Sequence, residues 1–200
     1  MFNNTILVKM KALKLMIAIC VMASLSQKSV AGTHTIGLYL TSEDYSNHKL
    51  SFETDGSNGN GIKLNGFFES GNVVVTYNGK KQVLSKNEVF GYRANGQDYR
   101  YFNNTAYKIL DTKDFYIYSA PKLVQEGKGS KPVDAYYYSS TVKTAVEPLS
   151  IKNLQNTYAE NPKFKYMVEA EFTSDNALVQ YDAAIKEYKV KYVFEQSSLK

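Results

Sequence analysis

The chain has 200 residues, with 24 lysines and arginines against 19 acids, a formal net charge of +5, and a single cysteine. One thiol cannot close a disulfide within the chain or build a thiolate metal site, so the fold must rest on core burial. The basic surplus does not argue for a nucleic-acid partner either, because it is concentrated at one end.

Four of those bases, Lys9, Lys11, Lys14 and Lys28, fall within residues 1–31, which hold no acid. Lys9, Lys11 and Lys14 precede the apolar run Leu15–Leu25, and Ser29-Val30-Ala31 follows it. A basic segment, an apolar segment and a small-residue cleavage site are the three parts of a secretory signal peptide. The run has about half of the ~20 apolar residues that a spanning helix needs, so removal is expected and no transmembrane span is expected afterwards. Ile19 stands before Cys20 where a lipid-attachment motif wants a small residue. A mature chain starting near Gly32 keeps 20 bases against 19 acids and no cysteine, but all 17 tyrosines. Residues 32–200 are read as one exported domain, 33–145 mainly β and 148–198 mainly α.

Thr35–Leu40 and Lys49–Glu53 are short strand candidates around Thr41–Asn47, where Thr41 and Asp44 have capping-box spacing. Asp55–Gly61 is a loop by composition. It departs from a calcium loop, which wants glycine and glutamate where Asn60 and Gly66 stand. Three candidate hairpins come next. Val73–Tyr77 and Lys80–Leu84 flank Asn78-Gly79, Val89–Arg93 and Gln97–Phe102 flank Asn95-Gly96, and Ala106–Leu110 and Phe115–Ser119 flank Asp111–Asp114. Asn-Gly favours two-residue turns whose central residues both need positive φ. Gln125–Pro132 reads as a loop and Asp134–Ser140 as a last strand. The result is an antiparallel meander, with no room between strands for crossover helices.

A turn at Asn95-Gly96 pairs Arg93 with Asp98, Tyr92 with Tyr99, Gly91 with Arg100 and Phe90 with Tyr101. Phe90, Tyr92, Tyr99 and Tyr101 then form an aromatic face, and Arg93, Asp98 and Arg100 a polar one. The polar face is either a surface ion pair or a fork for a carboxylate or phosphate. In the later strand, Tyr137 should point opposite Tyr136 and Tyr138.

After Pro148 the apolar period becomes helical. Ser150 can cap a helix bearing Ile151, Leu154 and Tyr158, and Asn161-Pro162 starts another that carries Phe164, Met167, Val168 and Phe172 on one face. A third and longest helix is expected from Ser174 or Asp175, with Leu178, Tyr181, Ile185, Tyr188 and Tyr192 on one face. Its outer side would carry Asp182–Lys186 and Glu187–Lys191 pairs.

Catalytic chemistry finds little footing. His34 and His48 are the only histidines, and no GxSxG offers a serine. Glu169 and Glu171 stand two apart on an expected helix and do not face each other, while Asp111 and Asp114 suit a turn. Asn103-Asn104-Thr105 matches a glycosylation acceptor and suits a turn equally.

The phrase Val89-Phe90-Gly91-Tyr92-Arg93, Asn95-Gly96, Tyr99-Arg100-Tyr101-Phe102, then Tyr107-Lys108-Ile109-Leu110 and Phe115-Tyr116-Ile117-Tyr118, resembles a group of small exported bacterial proteins of the Gram-negative envelope type without assigned function. Leu149–Leu154, Asn161-Pro162-Lys163-Phe164, Tyr181-Asp182 and Tyr188-Lys189-Val190 extend the resemblance. It implies export and one β-plus-helix unit, and brings no catalytic residue.

The expected architecture is α+β: an antiparallel meander of six to eight strands, open or partly closed into a barrel, followed by two or three C-terminal helices. The expected function is a non-catalytic envelope or secreted module that binds an envelope protein or a glycan, without cofactor, metal or nucleic acid. Its candidate ligand residues are Arg93, Asp98, Arg100, Tyr136 and Tyr138. The alternatives are a carboxylate-dependent enzyme acting on envelope glycans and a structural assembly subunit, which would carry an apolar patch or an unpaired sheet edge.

Overall fold

The structure, a computed structural model, describes residues 35–64 and 71–199. The expected leader and its cleavage site lie outside the described residues. Tight asparagine turns give the fold its order. Asn78-Gly79 and Asn95-Gly96 take φ of 50° and 73°, and 51° and 77°, the left-handed pairs that a two-residue hairpin turn requires. Asn103-Asn104, at 48° and 63°, makes a third such turn with the side chain that best tolerates this region after glycine.

The strands are β1 (Ile36–Tyr39), β2 (Ser51–Thr54), β3 (Gly61–Lys63), β4 (Asn72–Tyr77), β5 (Lys80–Ser85), β6 (Gly91–Ala94), β7 (Gln97–Phe102), β8 (Thr105–Asp111), β9 (Tyr116–Glu126), β10 (Gly129–Ser139) and β11 (Glu147–Pro148). A short helix α1 (Ser42–Ser46) links β1 to β2, closed by the expected capping box: Thr41 Oγ1 accepts from Asp44 N at 3.0 Å, and Asp44 Oδ2 accepts from Thr41 N at 3.1 Å. The C-terminal part holds α2 (Ile151–Thr157), α3 (Pro162–Glu171), a 3-10 turn (Asp175–Val179), β12 (Tyr181–Asp182), β13 (Glu187–Tyr188) and α4 (Lys189–Ser198).

Eight strands form one antiparallel sheet in the order β11-β10-β9-β8-β7-β6-β1-β2, and β3-β4-β5 form a second. The protein is therefore α+β, and the large sheet stays open, with β11 and β2 as its edges. The barrel alternative does not close. Register ties Tyr92 to Tyr99, Tyr99 to Lys108, Lys108 to Ser119 and Ser119 to Tyr136, so these residues share one face. At one end of that face Leu38, Tyr92 and Tyr101 pack with Val73 and Val75 of the small sheet. At the other, Ile117 and Tyr138 pack with Leu154, Phe164, Val168, Leu178 and Val190. The opposite face buries Tyr39, Ile109 and Tyr118 with Tyr45 of α1 and Val146.

Three details differ from the sequence expectation. Phe90 lies on the side opposite Tyr92 and stacks on Tyr45, ring centroids 5.0 Å apart, because β6 becomes regular only at Gly91. The expected loop Gln125–Pro132 is strand: β9 and β10 pair from Tyr116↔Ser139 out to Glu126↔Gly129, and Gly127 at φ 61° leaves only a two-residue turn.

The third difference is the longest expected helix, which breaks into the 3-10 turn, the β12–β13 hairpin and α4. Asp182 Oδ1 captures the Ala184 amide at 2.8 Å, a local bond that competes with helix. Lys186 turns to φ 55°, and the Lys189 amide bonds Gln180 O at 2.8 Å, continuing the hairpin. The outer charge pairs accordingly do not form: Glu187 is buried and Lys191 is fully buried.

Candidate functional site

The chain folds so that α3, the β12–β13 hairpin and α4 enclose a groove of about 470 Å³, lined by Met167, Glu171, Phe172, Gln180, Asp182, Ile185, Lys189, Tyr192 and Val193. Helical spacing supplies most of it. Met167 and Glu171 are four apart on α3, and Lys189, Tyr192 and Val193 stand at i, i+3 and i+4 on α4, so each set shares a face. Asn161 caps α3 by accepting the Phe164 amide at 2.9 Å, with Pro162 in the first turn.

The floor is apolar, since Phe172 and Val193 are buried and Met167 packs against the same core. The rim is exposed: Ile185 keeps 48 % and Tyr192 45 % of its surface in water. Lys189 Nζ donates to Gln180 Oε1 at 2.9 Å, which braces α4 to the end of the 3-10 turn. Glu171 and Asp182 make no ion pair among the described residues, so the groove offers two unneutralised carboxylates above an apolar floor.

On another side of α4 lies a charge network. Oxygens of Asp114, Glu187 and Glu195 come within 4.8 Å of one another, the spacing of a cation site. Lys113 already supplies a cation there: its Nζ donates to Glu187 Oε1 at 2.9 Å and pairs with Glu195. These bonds raise the Lys113 pKa, the Glu195 contact most. Beneath them Lys191 is fully buried and donates to the carbonyls of Lys113 and Phe115. Desolvation lowers its pKa from 10.5 to about 8, with Asp111 opposing the shift.

The residues singled out from the sequence are dispersed. Arg93 grips Asp98 in a bidentate pair, Nε to Oδ1 at 2.7 Å and Nη2 to Oδ2 at 2.8 Å, and Tyr39 OH donates to the same carboxylate at 3.0 Å. Burial and that hydrogen bond push the Tyr39 phenol up to about 12. Arg100 is an interior residue, 5 % exposed, donating to Tyr118 OH, Ser139 Oγ and Thr144 O at 3.1, 3.2 and 2.8 Å. Phe90, Phe102 and Tyr118 rings surround its guanidinium. Tyr138 is 1 % exposed and Tyr136 packs against the helical core, while Tyr137 points to the other face as alternation requires. Arg93, Asp98 and Arg100 lie on one face of the large sheet and Tyr136 and Tyr138 on the other, so the five do not form one site.

The groove residues escaped the sequence reading because a continuous helix places Tyr181, Ile185 and Tyr192 on a buried stripe. The signal against it was Asp182 two residues before Ala184, the spacing of an Asx turn. Compared with protein-family models, curated proteins and solved structures, the chain matches none.

Proposed function

We propose that the protein is an exported, non-catalytic binding module whose C-terminal groove receives a segment of a partner protein, and that it belongs with the small exported bacterial proteins its hairpin sequence resembles. The groove carries this reading. A concave apolar floor with a few convergent polar groups is the usual composition of a binding site. A partner segment with an apolar anchor beside a lysine or arginine satisfies both Phe172 and Val193 below and Glu171 and Asp182 at the rim. Export to the envelope or beyond is supported by the three-part leader and the near-neutral, cysteine-free body that follows it.

A carboxylate-dependent enzyme finds one supporting observation in Asp114, Glu187 and Glu195. Lys113 sits on two of those three acids and holds them as an ion network, which favours a structural role.

The test is site-specific photo-cross-linking in the producing cell, with p-benzoylphenylalanine at Tyr192 and, as a control, at exposed Lys152 on α2. A discrete adduct at Tyr192 and none at Lys152 is expected; absence of any adduct at Tyr192 overturns the groove reading. N-terminal sequencing of the protein from the same cells should start near Gly32. Retention of Met1 overturns export.

A further inference from the structure

We propose that the protein has a second binding site, for the carboxylate of a small organic acid, in the cavity lined by Arg100. This cavity shares no lining residue with the C-terminal groove and does not depend on it.

A guanidinium cannot shed its charge, and a charge taken out of water is normally matched by an anion. Arg100 is 5 % exposed, yet its three hydrogen bonds all go to neutral oxygens, those of Tyr118, Ser139 and Thr144. The one acid of its strand, Asp98, stands two residues away on the same face, but Arg93 and Tyr39 hold it. Among the described residues no carboxylate pairs with Arg100. Three of its five N–H donors are used, which leaves the Nε–H and one on Nη2. Nε and Nη2 are also the atoms by which Arg93 grips both oxygens of Asp98, so the chain itself shows the partner that such a donor pair fits.

The cavity has about 320 Å³ and lies between the β1–α1 turn, the approach to β6 and residues 142–143. Hydrogen bonds hold the segment beside it. Thr144 O accepts from Arg100, while Ser139 Oγ and Thr144 Oγ1 donate to Thr141 O at 2.8 and 3.1 Å. The donors are thus fixed in place before any ligand arrives. Val89, Phe90 and Val142 make part of the wall apolar, and exposed Lys143, which has no ion pair among the described residues, adds a second cation. Exposed Glu88 on the same wall narrows the ligand class. Two cations against one acid suit a single negative charge, whereas a phosphate group, carrying about −1.5 to −2, is repelled by Glu88. One carboxylate on an apolar body meets every one of these groups favourably.

Arg93 and Arg100 are the only arginines of the chain, so the arginine Nε–H region of its NMR spectrum holds two side-chain signals, and Arg93→Lys tells them apart. The experiment follows both while benzoate is added to the purified protein, with benzamide as the neutral isostere and inorganic phosphate as the rival anion. The Arg100 signal should move saturably with benzoate, less with phosphate at equal concentration, and not at all with benzamide. The Arg93 signal, already bonded to Asp98, should stay still. An Arg100 substitution would also remove three interior hydrogen bonds, so the mutational arm uses exposed Lys143 instead. Lys143→Glu should weaken benzoate binding about fivefold, the change expected for one exposed charge contact. An Arg100 signal that ignores benzoate, that answers benzamide equally or phosphate more strongly, or an affinity unchanged by Lys143→Glu overturns the proposal.

Discussion

The Lys191 ammonium lies 3.6 Å from the centroid of the Phe115 ring and donates to the Phe115 carbonyl, so one aromatic residue receives the charge on both its ring and its backbone. With the Lys113 carbonyl and Asp111 at 3.6 Å, this contact pins α4 to the β8–β9 turn. It also makes stability depend on pH. The folded chain gives up this proton near pH 8, whereas the unfolded chain holds it to about 10.5. Between those values the unfolded state binds more protons, so stability rises with pH, by about 3 kcal/mol in total at ~1.4 kcal/mol per pH unit. Urea unfolding at stepped pH should show this rise, and Lys191→Met should abolish it.

Above pH 10 the sign reverses. Tyr39 ionises near 12 in the folded protein and near 10 when unfolded. Tyr45, Tyr92, Tyr101 and Tyr158 are pushed up as well, burial being the main cause. The unfolded chain therefore releases protons first, and stability falls as pH climbs past 10. Tyrosinate absorbance near 295 nm should grow in two stages, exposed phenols first and the buried set only with unfolding. A single transition at ordinary phenol pKa would contradict the buried assignment.

Gly91 tests the hairpin geometry. A Cβ there would stand 2.0 Å from the Tyr99 carbonyl oxygen and 3.1 Å from Arg100 Cα, backbone atoms with no freedom to swing aside. Gly91→Ala should lower stability by about 3 kcal/mol, the upper end of overpacking costs. Gly96→Ala meets no atom within 4 Å but must hold φ 77°, so about 1 kcal/mol is expected. Comparing the two urea midpoints separates crowding from turn strain.

The hairpins were legible because Asn78-Gly79 and Asn95-Gly96 specify their turns locally, and the Arg93↔Asp98 register follows from them. Ser150 and Asn161-Pro162 announced α2 and α3 for the same reason. What could not be read depends on distant partners. Arg100 looks like a surface charge beside Asp98, yet its acceptors Ser139 and Thr144 arrive from 39 and 44 residues away. Glu187 and Lys191 have ideal helical spacing, but the partner of Glu187 is Lys113, 74 residues earlier. The groove exists only because that remote pairing accompanies a break in the helical period at Asp182 and Lys186.

The outer half of the β9–β10 hairpin, residues 121–126 and 129–134, is a two-stranded ribbon that carries a defence whose removal can be measured. In an antiparallel pair, residues at non-hydrogen-bonded positions turn their N–H outward. A two-residue turn makes Glu126↔Gly129 a bonded pair, so Gln125↔Ser130, Leu123↔Pro132 and Pro121↔Asp134 are the outward-facing ones. Pro132 and Pro121 therefore each delete a donor, one from each free edge, where a further strand would otherwise add. Pro132→Val restores the central donor of the β10 edge with a residue that favours strands. This variant should associate through its edges, seen as faster growth of light scattering and thioflavin T fluorescence, with Pro121→Val weaker because its donor lies at the ribbon base. A Pro132→Val protein that stays dispersed would show that the outward amides of this ribbon are not a route to association.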